Sequence, residues 1–516
     1  MRRLHMESFI PYDAADGKTM TILGKWLVDA TRARGSAKAL VYRDTYLSWR
    51  GLEHRVERRA HEFATLGVTK GQWVGLMLGN VPDFAILALA LSKLGAVVVP
   101  LDPTTGTRDL LLILEHAPLR ALITRPRGGT DGTSGQPRDA YAPAVATPQT
   151  QGPLGKEGPP VETRRRLQST LLTCTVFKKP AVAPSDAAVV LYTNDSFGEP
   201  KGILRTNENL EAAATLTQKA LEITAEDRIL TTVPLYHAYG FDLGLVPALK
   251  YGATLFLEDE VAPKRIVKLL REQDINVLPG TPSLYAGLAK LPTAKPLKIK
   301  GARYLSGGAP LAEAVADSFR ESWGIRIITA YHTTETGLVA CDRKGTEATT
   351  SVGKPIDGVE VKVGEPKTKE SGPLWVRSKW VAQRSVGSAQ KLMDRMKPGS
   401  EARVGSADDK GWFRTGDLGR IDKAGRIFLE GREDQLVKVD GKRVALGEVE
   451  SCLESFPSVQ RAQARVITDP LGGPMVVASV VVMGKVGAEE IIDHCAKNLA
   501  PYKVPRRIEF RDDIPI

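Results

Sequence analysis

The stretch Val189-Val190-Leu191-Tyr192-Thr193-Asn194-Asp195-Ser196-Phe197-Gly198-Glu199-Pro200-Lys201-Gly202 reads as an apolar strand running into a hydroxyl- and glycine-containing loop closed by Pro-Lys-Gly. A loop of this kind can present backbone N–H groups and a lysine charge to phosphates. It is not a Walker A loop, because Gly-Lys-Ser/Thr is absent. Alone it is equally compatible with an ordinary turn, so its meaning depends on its surroundings.

Upstream, residues 52–66 carry apolar positions at three-to-four spacing and predict an amphipathic helix. Residues 73–78 predict a buried strand, 83–94 a helix and 96–101 another strand. Alternation of this kind predicts an α/β fold with a mostly parallel sheet. Residues 126–160 hold seven glycines and seven prolines, a composition that predicts a flexible Gly/Pro-rich surface loop. The triplet Arg164-Arg165-Arg166 is expected on a solvated helix face. Downstream, residues 447–456 and 488–499 predict helices, and 462–467, 475–482 and 506–511 strands. The expected division is a large N-terminal domain of several subdomains over residues 1–431 and a small α+β C-terminal domain over 432–516.

The composition sets outer bounds. A chain of 516 residues is long for one domain and ample for a core without disulfides. Its 71 basic and 60 acidic residues give a net charge of +11, a weak leaning towards anionic partners and no sign of nucleic-acid binding. Cys174, Cys341, Cys452 and Cys495 form no metal-ligand spacing and no disulfide framework, which suits a reducing cytoplasm. The basic start lacks the apolar run of a signal peptide, and residues 84–91 are too short to span a membrane.

The loop does not stand alone. Pro234-Leu235-Tyr236-His237-Ala238-Tyr239-Gly240, Ser306-Gly307-Gly308-Ala309-Pro310, Tyr331-His332-Thr333-Thr334-Glu335, Thr415-Gly416-Asp417, Gly431-Arg432-Glu433-Asp434 and Lys438-Val439-Asp440-Gly441-Lys442 follow in order. Together these motifs resemble those of the adenylate-forming superfamily, in its acyl-CoA synthetase branch. The resemblance implies a nucleotide site from Gly307, Gly308, Ala309, Tyr331, His332, Thr334, Asp417 and Arg432, and a magnesium ligand in Glu335. It implies a phosphate loop over Thr193, Asn194, Asp195, Ser196, Phe197, Gly198 and Lys201. Tyr236, Ala238, Tyr239, Gly240, Phe241 and Asp242 fall on the acyl pocket, with His237 its gate. Asp434 falls on a hinge, and Gly441 on the loop that turns a mobile C-terminal lid towards CoA.

Two departures from the family pattern bear on chemistry. The usual Ser-Gly-Ser/Thr-Thr of the phosphate loop is Asn194-Asp195-Ser196-Phe197 here. A carboxylate ~4 Å from a phosphate charge repels it by about 4 kcal/mol at an effective dielectric near 20. The family's C-terminal lysine, which reaches the carboxylate and α-phosphate, would follow Ile516. Both departures strike adenylation and spare the CoA step. The expectation is therefore an enzyme that forms a CoA thioester from an acyl-adenylate, its adenylation weak or delegated to a separate adenylating enzyme. Such a division of labour resembles that of ligase pairs of bacterial secondary metabolism, for example in diterpenoid antibiotic pathways. The alternatives are a complete ATP-dependent acid–CoA ligase cut short of that lysine, and a non-catalytic acyl-nucleotide-binding protein. AMP or acyl-AMP and CoA are the implied ligands in every catalytic case, joined by ATP and Mg²⁺ in the complete ligase. The small residues Ala238, Gly240 and Gly307 leave room for a bulky apolar carboxylic acid, or its adenylate, as substrate.

Overall fold

A computed structural model describes residues 19–105, 107–117, 119–125, 160–168, 170–178, 180, 182–183, 186–194, 200–291, 296–343, 351–364, 371–382, 384–387, 410–432, 436–439, 442–469, 473–499 and 503–514. Two large mixed sheets dominate it. The first has nine strands, in the order Lys354–Pro355, Gly337–Cys341, Ile327–Thr333, Arg303–Ser306, Val277–Gly280, Arg228–Thr231, Thr254–Leu257, Lys38–Tyr42 and Thr45–Ser48. Its interior pairs are parallel, and antiparallel strands close both edges. The second has eight strands, in the order Arg384–Gly387, Pro200–Thr206, Ala187–Asn194, Val97–Leu101, Trp73–Met77, Ala121–Thr124, Thr173–Phe177 and Val161–Arg166.

The apolar runs noted in the sequence become the centre of this body. Trp73–Met77 and Val97–Leu101 are buried at every position, as expected for strands covered on both faces. Between them in the chain, Pro82–Lys93 forms a helix that starts on proline and is buried from Phe84 onward. Its last residue, Lys93, is buried as well and is neutralised by Glu57 and Glu53. One apolar core runs continuously from Val74 and Leu76 of the second sheet to Ile229 and Leu255 of the first.

A four-stranded antiparallel sheet, Glu360–Val363, Gly372–Arg377, Phe413–Ile421 and Ile427–Arg432, follows in the chain. The C-terminal unit packs Leu446–Glu454 and Ala488–Asn498 with the strands Val459–Asp469, Gly473–Val482 and Arg507–Phe510. Its core, including Val444, Val449, Val476, Ile491 and Ile508, is separate from the others. The mixed α/β architecture with a small C-terminal domain is as the sequence predicts.

One reading is corrected. Arg164, Arg165 and Arg166 lie not on a helix but on the exposed edge strand Val161–Arg166, paired on one side only with Thr173–Phe177. Charge on an edge strand blocks pairing with other chains, so the same side chains serve a strand as readily as a helix. Residues 126–159 of the expected loop lie outside the described residues.

Candidate functional site

Most candidate residues gather where the parallel strands of the nine-stranded sheet end, the edge at which α/β sheets bind ligands. Arg303–Ser306 leads into Gly307 and Gly308, Ile327–Thr333 into Thr334 and Glu335, and Arg228–Thr231 into the segment of His237. Gly308 adopts φ +84° with no neighbour where a Cβ would stand, an open turn favouring glycine.

Tyr331, Asp417 and Arg432 form one cluster. Asp417 and Arg432 are direct partners across an antiparallel pair, so register places them together. The guanidinium lies 3.3 Å from Asp417 Oδ1, and the Tyr331 hydroxyl donates to Asp417 Oδ2. Gly416, at φ +81°, turns the chain before Asp417, whose amide donates to Thr415 Oγ1 at 3.1 Å. Burial raises the Asp417 pKa above the ordinary carboxylate value, while the Tyr331 hydroxyl and Arg432 oppose that shift and Glu335 adds to it. Burial and the carboxylate also hold the Tyr331 hydroxyl protonated well above its ordinary range.

A second cluster joins two motifs that are far apart in sequence. Lys201 Nζ stands 3.2 Å from Glu335 Oε1. Four residues on, and on the same face of the strand, Arg205 donates from Nε to the Thr334 carbonyl at 3.1 Å. Arg205 Nη2 reaches Asp242 Oδ2 at 3.4 Å, and neither side chain has any solvent exposure. His332 Nε2 shares that oxygen at 3.0 Å, and its ring meets Tyr239 edge-on with centroids 5.4 Å apart. A β-bulge between Tyr331 and His332 explains how adjacent residues serve different neighbours. His332, expected beside the nucleotide, therefore turns its side chain towards the expected acyl wall.

That wall departs from the sequence reading. The room assigned to Gly240 and Gly307 is already filled. A Cβ on Gly240 would stand 2.4 Å from the Pro234 carbonyl, and one on Gly307 would stand 2.9 Å from the Tyr239 ring. Ala238, Tyr239, Phe241 and Asp242 are all buried. Glycine here marks close approach of backbone and ring rather than empty volume, so the small residues give no support for a bulky acid. Asp242, assigned to the acyl pocket, is held at Oδ2 by Arg205 and His332.

His237 keeps its side chain accessible at the rim, against Tyr236 at 4.7 Å between centroids. Crowding by the surrounding protein lowers its pKa, and the nearby Asp102 carboxylate opposes this. The same aspartate accepts from the Tyr236 hydroxyl. Asp102 and Arg205 were invisible as site residues in the sequence; the only signal for Arg205 was its spacing of four from Lys201 in a strand.

Of the expected phosphate loop, Thr193 and Lys201 are placed and Asn194 is described in its backbone alone. Asp195, Ser196, Phe197, Gly198, Asp434 and Gly441 lie outside the described residues. Among the described residues no group of three acidic, histidine or cysteine side chains could hold a metal by itself. Nor is any described helix long and apolar enough to cross a membrane.

Residues 27–384 match the AMP-binding enzyme family, and residues 448–516 match the AMP-binding enzyme C-terminal domain. A long-chain-fatty-acid–CoA ligase of Mycobacterium tuberculosis is 25% identical over 484 residues, covering 92% of this chain and 90% of that protein. An anthranilate CoA ligase in complex with anthranoyl-AMP superposes with a TM-score of 0.75 at 21% identity, over 98% and 96% of the two chains. The o-succinylbenzoate CoA synthetase of Bacillus subtilis, with its acyl-adenylate, gives 0.75 at 24% identity over 95% of each chain.

Proposed function

Since this chain belongs to the AMP-binding enzyme family, we propose that it is an ATP-dependent acid–CoA ligase. In the first step a carboxylate oxygen attacks the α-phosphorus of ATP and pyrophosphate leaves. In the second the CoA sulfur attacks the acyl carbonyl, the C–O bond to AMP breaks and AMP departs. The observation that carries this reading is the Tyr331–Asp417–Arg432 cluster, with Lys201 and Glu335 beside it. Asp417 would accept from a ribose diol, Tyr331 offers an aromatic face to adenine, and Arg432 adds a fixed positive charge. The relatives named above as CoA ligases support the same activity.

Glu335 fits magnesium in its usual mode, one carboxylate completed by substrate phosphates and water. When bound, the ion would neutralise phosphate charge. Lys201 and Glu335 would hold the phosphate edge, and the loop 193–198 is part of the same proposal. His237 would border the entrance for the acid. The division at residues 431/432, with a lid hinged at Asp434 that brings Gly441 towards CoA, is part of the same proposal. Four free cysteines suit a reducing cytoplasm.

Asp195 favours a second reading, in which the adenylate comes from a separate adenylating enzyme. One assay separates the two. The protein is given acid, ATP and CoA, and in parallel synthetic acyl-AMP and CoA, and the thioester is followed by mass spectrometry. Product by both routes is expected. Product from acyl-AMP alone would return the second reading, and none by either route leaves an acyl-nucleotide-binding protein.

A further inference from the structure

Resting on the ligase reading, we propose that Arg205 is a positioning residue, which clamps the peptide between Thr334 and Glu335 and so aims the Glu335 carboxylate at the metal and phosphates of ATP. The Arg205 side chain has no solvent exposure, so it acts through its neighbours rather than on a ligand. Two of its nitrogens, Nε at 3.1 Å and Nη2, converge on the Thr334 carbonyl. That carbonyl and the Glu335 amide belong to one planar peptide unit, so holding the oxygen fixes the direction in which the chain enters Glu335. The far side of the residue is held as well. The Ala382 amide donates to the Glu335 carbonyl at 2.9 Å, and the Thr336 amide donates to Thr333 Oγ1 at 3.1 Å. With Lys201 on the carboxylate at 3.2 Å, the strand Pro200–Thr206 holds both the side chain and the backbone of this turn.

Stability alone is a poor reason for the arrangement. A guanidinium without solvent contact loses its hydration, and its 3.4 Å approach to Asp242 is longer than a close charge-assisted hydrogen bond. An apolar side chain of like size would pack the same site without that cost. What it could not supply is the fork. Arg205 meets the carbonyl with two donors and Asp242 with one of them, which fixes the plane of the guanidinium. Lysine at this position would keep the charge but offer a point donor. Outer partners that orient a ligating side chain commonly set metal affinity by about 10–100-fold.

The test uses the full chain, with Mn²⁺ as the probe. Binding of Mn²⁺ in the presence of α,β-methylene-ATP is followed by electron paramagnetic resonance, which needs no turnover. Thioester formation is measured from acid, ATP and CoA and, in parallel, from synthetic acyl-AMP and CoA. Wild type, Arg205→Lys, Asp242→Asn and the double variant Arg205→Met with Asp242→Asn are compared, each checked by thermal melting. The double variant removes both buried charges together and so guards against simple unfolding. Arg205→Lys should bind Mn²⁺ about tenfold or more weakly than wild type, and the double variant should do so relative to Asp242→Asn. The ATP route should fall with it, and the acyl-AMP route should fall less. Unchanged Mn²⁺ affinity in both folded variants overturns the proposal, as does an equal fall by both routes, which a merely structural role would give. Wild type that binds no Mn²⁺ with the nucleotide overturns it too. Weakened Mn²⁺ binding in the variants, with no thioester by either route in wild type, keeps the inference and removes the ligase reading.

Discussion

Lys201 and Glu335, separated by 134 residues in sequence, form an ion pair of 3.2 Å that ties the strand Pro200–Thr206 to the turn after Tyr331. Both side chains are largely buried, so the pair is better protected from solvent than a surface bridge. Removing the lysine charge should strike the ATP-dependent step first. Lys201→Ala is expected to lower thioester formation from acid and ATP by about 10²-fold, the scale of losing one preorganised charge donor. Formation from synthetic acyl-AMP and CoA should fall far less, and the two assays side by side check this.

Asp417→Asn should change pH dependence as well as affinity. Burial raises the folded pKa of this carboxyl above the ordinary 3.8. The folded state therefore binds the proton more tightly than the unfolded state. The group's contribution to stability is full below 3.8 and is lost as pH rises through the folded pKa. The asparagine cannot titrate, so a plot of melting temperature against pH should lose that fall. The same substitution should raise KM for ATP by about tenfold, the scale of a charge-assisted hydrogen bond.

His237 should titrate below the ordinary 6.5, because crowding disfavours the cation. Asp102 pulls in the opposite direction, so Asp102→Asn should lower the His237 pKa further. The sign for stability follows. A depressed folded pKa gives stability that is present above 6.5 and lost as pH falls through the folded value. NMR titration of the imidazole in wild type and Asp102→Asn measures both midpoints, and an upward move on substitution contradicts the assignment.

Arg205→Leu should be among the most damaging single changes in the body. It leaves Asp242 as a wholly buried charge with His332 as its remaining described partner, a loss of about 3–5 kcal/mol by the pattern of broken buried pairs. Adding Asp242→Asn should recover part of that loss. Thermal unfolding of the two single variants and the double variant measures the coupling.

Gly337→Ala tests the backbone next to Glu335. Gly337 lies at φ +66°, and a Cβ there would come within 1.9 Å of the Trp380 ring. Trp380 is fully buried and has nowhere to retreat. Destabilisation of about 3 kcal/mol or more is expected, from combined strain and overpacking. Unchanged melting in a soluble variant contradicts this expectation.

The sequence and the structure agree most closely where local rules suffice. The runs at 73–78 and 96–101 could be placed because strands buried on both faces carry continuous apolar residues. The order of the motifs was enough to bring Tyr331, Asp417 and Arg432 together. Arg205 and Asp242 were not legible as a pair, because only the folded topology brings residues 37 positions apart into contact. Gly240 and Gly307 misled for a related reason. A missing side chain shows that Cβ is excluded, not whether space or a neighbour lies there. Arg164–Arg166 misled because solvent-facing charge carries no period by which to tell strand from helix.

The strand Arg384–Gly387 completes the eight-stranded sheet by pairing with Pro200–Thr206, and Arg384 grips Asp186 through both carboxylate oxygens. During synthesis this has a cost. The hairpin bearing Lys201 and Arg205 is made nearly two hundred residues before its outer neighbour, and until that neighbour emerges it presents an open β-edge. Closing so distant a contact is slow, so this edge stays open to pairing with other chains for longer than a hairpin closed by a sequence neighbour.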